Sequence, residues 1–208
     1  MKPLRILIAC EYSGRVREAF KAKGHYAMSC DLLPTEIPGE HYQGDVFDII
    51  NNGWDLMIAF PPCTFLTVTG NRWFNIEKYG QKAIDRYQSR KEAIEFFMRF
   101  AKSNCKKVAI ENPVGIMSSQ YRKPDQIIQP WQFGDAFEKK TCLWLKGLPE
   151  LKATNIVKPP ARVKYKSGKT MPKWYADLWH LPKDERAKLR SKTFQGIAKC
   201  MADQWGSL

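Results

Sequence analysis

Residues 4–31 read LRILIACEYSGRVREAFKAKGHYAMSCD, and the punctuation of that stretch decides the fold. Leu4 to Cys10 is a short apolar run interrupted only by Arg5, the pattern of a strand covered on both faces of a parallel sheet. Ser13-Gly14 breaks it at once. From Arg15 to Lys23 the apolar residues Val16, Ala19 and Phe20 fall at helical spacing, and Gly24 supplies a C-terminal stop. His25 to Cys30 is a second strand, closed by Asp31 roughly 20 residues past the first turn. Strand, turn, helix, strand is a βαβ unit with an acid at its end.

The rest of the chain continues the alternation. Trp54 to Phe60 is a third apolar strand, stopped by Pro61-Pro62-Cys63, because two prolines cannot continue a ladder. Gly44-Asp45 lies in the turn region before it. Gln81 to about Asn104 spaces Ile84, Tyr87, Ile94, Phe97, Met98 and Ala101 mostly three or four apart, predicting a long amphipathic helix against the sheet. Lys107 to Ile110 is one more strand, broken by Glu111-Asn112-Pro113. The expected class is α/β, a doubly wound, mainly parallel, Rossmann-like sheet with its ligand crevice at the strand C-termini.

From about residue 116 the composition turns to Lys, Pro, Trp and Gln, and prolines from Pro124 to Pro182 forbid long regular elements. Helical spacing returns between Phe194 and Trp205. The expected organisation is a sheet domain over 1–115, a small basic module over 116–190, and a helix over 191–208 that returns to the first domain. The 208 residues suffice for one such domain with an appendage.

Charge separates the two halves. Residues 1–100 hold 13 Lys+Arg against 12 Asp+Glu, whereas residues 101–208 hold 21 against 9. A positive excess confined to one half is the footprint of a polyphosphate partner. Residues 121–192 interleave 17 Lys+Arg with Tyr121, Trp131, Trp144, Tyr165, Trp174, Tyr175 and Trp179, a mixture suited to phosphate contact and base stacking. The competing reading makes those aromatics the core of the module and the lysines its solvated face. The six cysteines are scattered without a CxxC pair and there are three histidines, so no metal site is expected. No apolar run approaches the roughly 20 residues of a membrane span, so a cytoplasmic protein without membrane partner is expected. Nothing in the chain sets an oligomeric state.

The residues able to do chemistry cluster at strand ends. Asp31 is placed to accept hydrogen bonds from a ribose, and the turn Tyr12-Ser13-Gly14 leads into a helix whose first N–H groups would face a polar ligand. Cys63, held by Pro61 and Pro62, is a candidate nucleophile that needs a nearby cation or dipole to ionise. Glu111, fixed by Asn112 and Pro113, is a carboxyl that burial can keep protonated. Thr64 to Trp73 has the length of an active-site lid, with Gly70 as its hinge.

Pro-Pro-Cys after one strand and Glu-Asn-Pro after the next resembles the cytosine-5 DNA methyltransferase family. The resemblance implies a Rossmann-like sheet that binds S-adenosylmethionine and a DNA cytosine flipped out of the duplex. It implies that Pro62-Cys63 is the nucleophile motif attacking C6, with Glu111 and Asn112 holding the base edge. Tyr12, Ser13 and Gly14 are similar to the first cofactor loop, Asp31 to the ribose acid, and Asp45 to the adenine contact. Pro61 borders the cofactor, and Gln195-Gly196 resembles the late motif that completes its site. Lys139-Lys140-Thr141 is the nearest match to the segment contacting base and phosphate. The chain departs from the family in having Arg15, Val16 and Arg17 where glycines follow Gly14, and in lacking the Asn of the late motif. Two other readings stay open: the same chemistry on RNA or a free cytosine nucleotide, and a non-catalytic DNA-binding protein on this scaffold.

Overall fold

A computed structural model describes residues 2–208. In chain order the elements are β1 (Arg5–Ala9), α1 (Arg15–Lys21), β2 (Tyr26–Asp31), β3 (His41–Gln43), β4 (Leu56–Ala59), α2 (Ile76–Tyr79), α3 (Gln81–Ala101), β5 (Val108–Pro113), α4 (Met117–Gln120), β6 (Gln126–Ile128) and β7 (Thr141–Lys146). They continue as β8 (Arg162–Lys164), β9 (Thr170–Pro172), α5 (Lys173–Asp177), α6 (Lys183–Ser191) and α7 (Gln195–Trp205). Seven strands form one sheet in the order β3-β2-β1-β4-β5-β7-β6. β1 through β5 pair in parallel, and β7 runs antiparallel between β5 and β6. This is the expected doubly wound Rossmann-like α/β fold.

Two apolar layers cover the sheet because alternate residues of each strand point to opposite faces. Ile6 and Ile8 of β1 face a layer with Val16 and Phe20 of α1 and Ile197, Met201 and Trp205 of α7. Leu7 and Ala9 face the other, with Phe97 and Phe100 of α3. Full burial of both faces explains why the strands read as unbroken apolar runs.

Several expectations are corrected. β6 and β7, inside the stretch assigned to a separate basic module, complete the main sheet; Thr141–Lys146 is apolar through Cys142–Leu145 because it is buried between two strands. β5 does not stop at Ile110 but continues to Pro113, where Glu111, Asn112 and Pro113 pair with Leu143, Cys142 and Thr141. The first half of α3 overshoots the sheet: Ile84 and Tyr87 stay exposed, and Tyr87 packs edge-on to Phe74 at 4.9 Å. The module that remains is the β8–β9 hairpin with α5 and α6.

Candidate active site

Register brings the two proline-bounded motifs side by side. β4 and β5 pair in parallel up to Ala59 with Ile110, so Pro61-Pro62-Cys63, just past the end of β4, and Glu111-Asn112-Pro113, the last three residues of β5, lie at the same edge. Asn112, 1% exposed, donates from Nδ2 to the Pro61 carbonyl at 2.8 Å, a buried bond that fixes one motif on the other. Leu66 and Thr67 both donate N–H to the Cys63 carbonyl, closing the turn behind the thiol.

Burial pushes the Cys63 thiol up from its ordinary value, the Glu111 carboxylate pushes it further, and Lys139 opposes both. Glu111 is likewise raised by burial and lowered by Lys139. Cys63, Glu111 and Lys139 therefore share one electrostatic environment, with two acidic groups held toward their neutral forms and a single half-buried ammonium against them. Cys142, opposite Asn112 in the ladder, is pushed up to about 11 by burial and the Glu111 charge.

Lys139 also fastens the module to this edge, because its Nζ donates to the Arg190 carbonyl at 2.9 Å. Arg190 in turn donates to the Tyr175 carbonyl at 3.0 Å and lies over the Tyr175 ring at 4.4 Å. Tyr175, raised chiefly by burial and further by Cys63 and Glu111, belongs to the same cluster. Sequence reading missed Tyr175 and Arg190 as site residues; in one dimension they are two more members of a basic aromatic stretch. Thr141 is buried in β7, and Lys140 is exposed. Phe60, Glu111, Lys139 and Thr141 line a cavity of about 10 Å³ closed by Thr193 and Phe194. That is room for one water.

The edge of β1 and β2 is acidic. Cys10 adopts φ 58° at the end of β1, and after burial the charges of Asp31 and then Asp45 push its thiol up. Asp31 Oδ1 accepts Leu33 N–H at 2.9 Å, and its carboxyl is raised by burial. Asp45 is exposed and accepts Phe47 N–H at 2.9 Å. Tyr12 is buried and donates its hydroxyl to the Lys188 carbonyl at 2.7 Å, so α6 crosses the first turn as well as the Cys63 edge.

The turn at Ser13-Gly14 differs from expectation. Glu11, 5% exposed, accepts Arg15 N–H at 2.9 Å and the Ser13 hydroxyl on Oε1, so the start of α1 is capped by the chain's own carboxylate. Gly14 takes φ 74°, and a Cβ there would lie 2.8 Å from the Arg17 guanidinium. Arg17 is fully buried beneath the turn and donates to Ser29 Oγ, Thr35 Oγ1 and the Ile37 carbonyl. Arg17 thus fills the loop from below. The late pair lies at the start of α7: Gln195 is exposed, and Gly196 donates N–H to Asp135 Oδ2 at 2.7 Å.

These groups suit one kind of cofactor. Acids at the ends of β1 and β2 and an N-terminus already capped favour a ligand with hydroxyls and positive charge over one carrying phosphates. Among the described residues no group of three or more His, Cys, Asp and Glu can hold a metal ion, and no helix is long and apolar enough to cross a membrane.

The expected lid is pinned. Arg90 donates from Nε to the Phe65 carbonyl and from Nη2 to Asn71, and Arg86 donates to the Thr64 carbonyl. Ile116 donates N–H to the Leu66 carbonyl, with Gly115 packed so closely that a Cβ would stand 2.2 Å from Leu66 O. Gly70 is buried against Arg86, which makes it a packing position and not a hinge.

No family model and no curated protein matches the chain. Among solved structures, one similar fold is a candidate DNA modification methyltransferase encoded within an E. coli prophage, 15% identical, covering 86% of this chain and 56% of that one, with a TM-score of 0.47. Another is the Entamoeba histolytica methyltransferase EhMeth, 12% identical, covering 78% of this chain and 59% of that one, with a TM-score of 0.45. The chain spans less than two thirds of either neighbour. At these scores neither assigns a role to any residue.

Proposed function

We propose that the chain transfers a methyl group from S-adenosylmethionine to C5 of a cytosine in DNA, through a transient bond between Cys63 and C6 of the base. The observation that carries this reading is the apposition of Cys63 and Glu111 at neighbouring strand ends, cross-linked by Asn112 and sharing Lys139. The positive excess of the C-terminal half is what a DNA acceptor asks for.

In this reading Cys63 gives up its thiol proton to water, a step that Lys139 favours, and the sulfur bonds to C6. The displaced π electrons move toward C5 and N3, and Glu111, whose neutral form burial favours, delivers a proton to N3. C5, now nucleophilic, takes the methyl group. A water molecule takes the C5 proton, which expels the thiolate, and Glu111 recovers its proton from N3. Bound S-adenosylmethionine supplies an electrophilic methyl on its sulfonium. Asp31 would hold its ribose and Asp45 its adenine, with Tyr12, Ser13, Gly14, Pro61, Gln195 and Gly196 around it. Lys139, Lys140 and Thr141 would meet the base and its phosphate.

The pocket beside Glu111 has to enlarge for this chemistry. A six-membered ring occupies on the order of 150 Å³, against about 10 Å³ present. Tyr175 and Arg190 stand over that edge on two short helices, α5 and α6, with no fully buried residues, so their withdrawal is the cheapest opening motion. A flipped cytosine would take the space.

The test is transfer of a labelled methyl group from S-adenosylmethionine to plasmid DNA, followed by identification of the modified base. Wild type should yield 5-methylcytosine and Cys63→Ala none. A Cys63→Ala protein methylating at the wild-type rate would end the proposal. One observation favours a non-catalytic DNA-binding reading, the cavity beside Glu111, which has room for one water and not for a base. Absence of any calorimetric binding of S-adenosylmethionine would select it.

A further inference from the structure

The aromatic side chains of the basic stretch do not share one fate. Trp144 is core, edge-on to Phe97 at 5.2 Å. Trp174 packs edge-on to Phe137 and Phe194, and Tyr175 is held under Arg190. For these the packing reading holds. Tyr165 and Trp179 differ, being 41% and 56% exposed in a module with little core of its own.

Their polar ends converge on a single atom. Tyr165 Oη donates to Met171 Sδ at 3.6 Å, and Trp179 Nε1 donates to the same sulfur at 3.5 Å. Two large aromatics are thereby set around one open groove of about 630 Å³, between the β8–β9 hairpin and the end of α5. Val163 and Met171 supply its floor and Lys169 its rim. Arg186 lies over the Trp179 ring at 4.5 Å, adding a cation to the wall. Residues 161–192 contain ten Lys+Arg against Asp177, Asp184 and Glu185. None of the groove residues lines the cavity at Glu111.

Charge complementarity and shape select the occupant. The lysines call for a polyanion, and the aromatic walls for a flat apolar face. An unpaired nucleotide presents both, whereas in a duplex the base faces are stacked on one another and hidden. The groove is several times the size of a single ring, enough for a base with its sugar and phosphate.

We propose that the groove between the 162–172 hairpin and Trp179 is a second base-holding site, which stacks an unpaired nucleotide between Tyr165 and Trp179 and holds its phosphates with Lys164, Lys166 and Lys169. Only the class of ligand, a nucleic acid, rests on the function proposed above. The site tethers a strand outside the catalytic pocket and does no chemistry.

The test is fluorescence anisotropy of a labelled 12-nucleotide oligo-dT, which has no cytosine to enter the catalytic pocket, with full-length wild type, Tyr165→Ala/Trp179→Ala, and Lys166→Ala/Lys169→Ala. The aromatic double variant should bind oligo-dT about 10- to 100-fold more weakly, with an unchanged salt dependence and less than about 3-fold change on a 12-base-pair duplex. The lysine variant should flatten the slope of log K against log salt by about 1.4, roughly 0.7 for each of the two phosphate contacts removed from a single strand. Trp179→Phe should retain most affinity. Oligo-U distinguishes ribose from deoxyribose sources of the same chemistry, and poly-Glu tests a simple polyanion. Equal oligo-dT affinity for wild type and the aromatic variant, an equal loss on duplex, or poly-Glu competing as well as oligo-dT would each overturn the site. Cys63→Ala should bind oligo-dT normally, so a failure of methyl transfer and a failure of this groove are read separately.

Discussion

Replacing Asn112 by Ala removes the one bond joining the two motifs. Its Nδ2 meets the Pro61 carbonyl at 2.8 Å in a fully dry position. Leaving that carbonyl without a donor costs about 1–3 kcal/mol, and the lost contacts of the truncated side chain add roughly 1 kcal/mol. Part of this is recovered, because Asn112 Oδ1 is itself buried without a partner and disappears with the substitution. A net loss of about 2 kcal/mol results. In a chain of this size each kcal/mol moves Tm by roughly 2–4 °C, so thermal unfolding followed by circular dichroism should show a fall of roughly 4–8 °C. The turn that presents Cys63 also loosens, and iodoacetamide labelling resolved by peptide mass spectrometry should find Cys63 faster and Cys105, distant in the core, unchanged. An Asn112→Ala protein with wild-type Tm and wild-type Cys63 labelling would refute the claim that this bond holds the two strand ends together.

Other consequences follow from the same groups. Glu111 is raised in the folded protein, so its favourable contribution is complete below the unfolded carboxyl range, near pH 4, and is lost as pH climbs through the folded value. Glu111→Gln should therefore unfold at a higher temperature than wild type at pH 7.5 and at the same temperature near pH 4; a pH-independent gap would contradict the buried carboxylate. Cys63 should react with iodoacetamide only at pH above the ordinary thiol range, with the profile moving down in Glu111→Gln and up in Lys139→Met. Identical profiles in all three proteins would separate the three groups. Gly196→Ala places a Cβ 1.9 Å from the Phe133 carbonyl, backbone that cannot swing away, and should cost about 1–3 kcal/mol by thermal unfolding. An unchanged Tm would mean that α7 docks elsewhere.

How far the sequence could be read depended on burial. Ile6 to Ala9 and Leu56 to Ala59 are covered on both sides, so their apolar runs announce strands, and Ser13-Gly14 after the first and Pro61-Pro62 after the second mark where the chain turns. His41–Gln43 is a three-residue edge strand with no fully buried residue, which leaves no periodicity to find. β8 and β9 are equally short and exposed, fixed by a turn at Gly168 with φ 79°. β7 was hidden for another reason: Cys142–Leu145 is plainly apolar, but its partner lies about thirty residues back across a basic, proline-rich stretch. At the site, Cys63 stood out because it follows a strand through two prolines, and Glu111 because a proline two residues on marks the end of its apolar run. Glu11 did not, because a carboxylate capping the start of the next helix through Arg15 N–H looks in one dimension like any polar residue in a turn. Arg190 is joined to the Cys63–Glu111 edge through Lys139, a contact across fifty-one residues that no local pattern encodes.

The most direct measurement uses DNA containing 5-fluorocytosine, incubated with the protein and S-adenosylmethionine and examined as intact complexes by mass spectrometry. Fluorine at C5 leaves no proton for the final elimination, so the bond from sulfur to C6 should persist and the protein should carry the methylated strand, joined at the peptide containing Cys63. Protein that binds the cofactor and methylates ordinary DNA yet forms no such adduct would contradict covalent catalysis by Cys63.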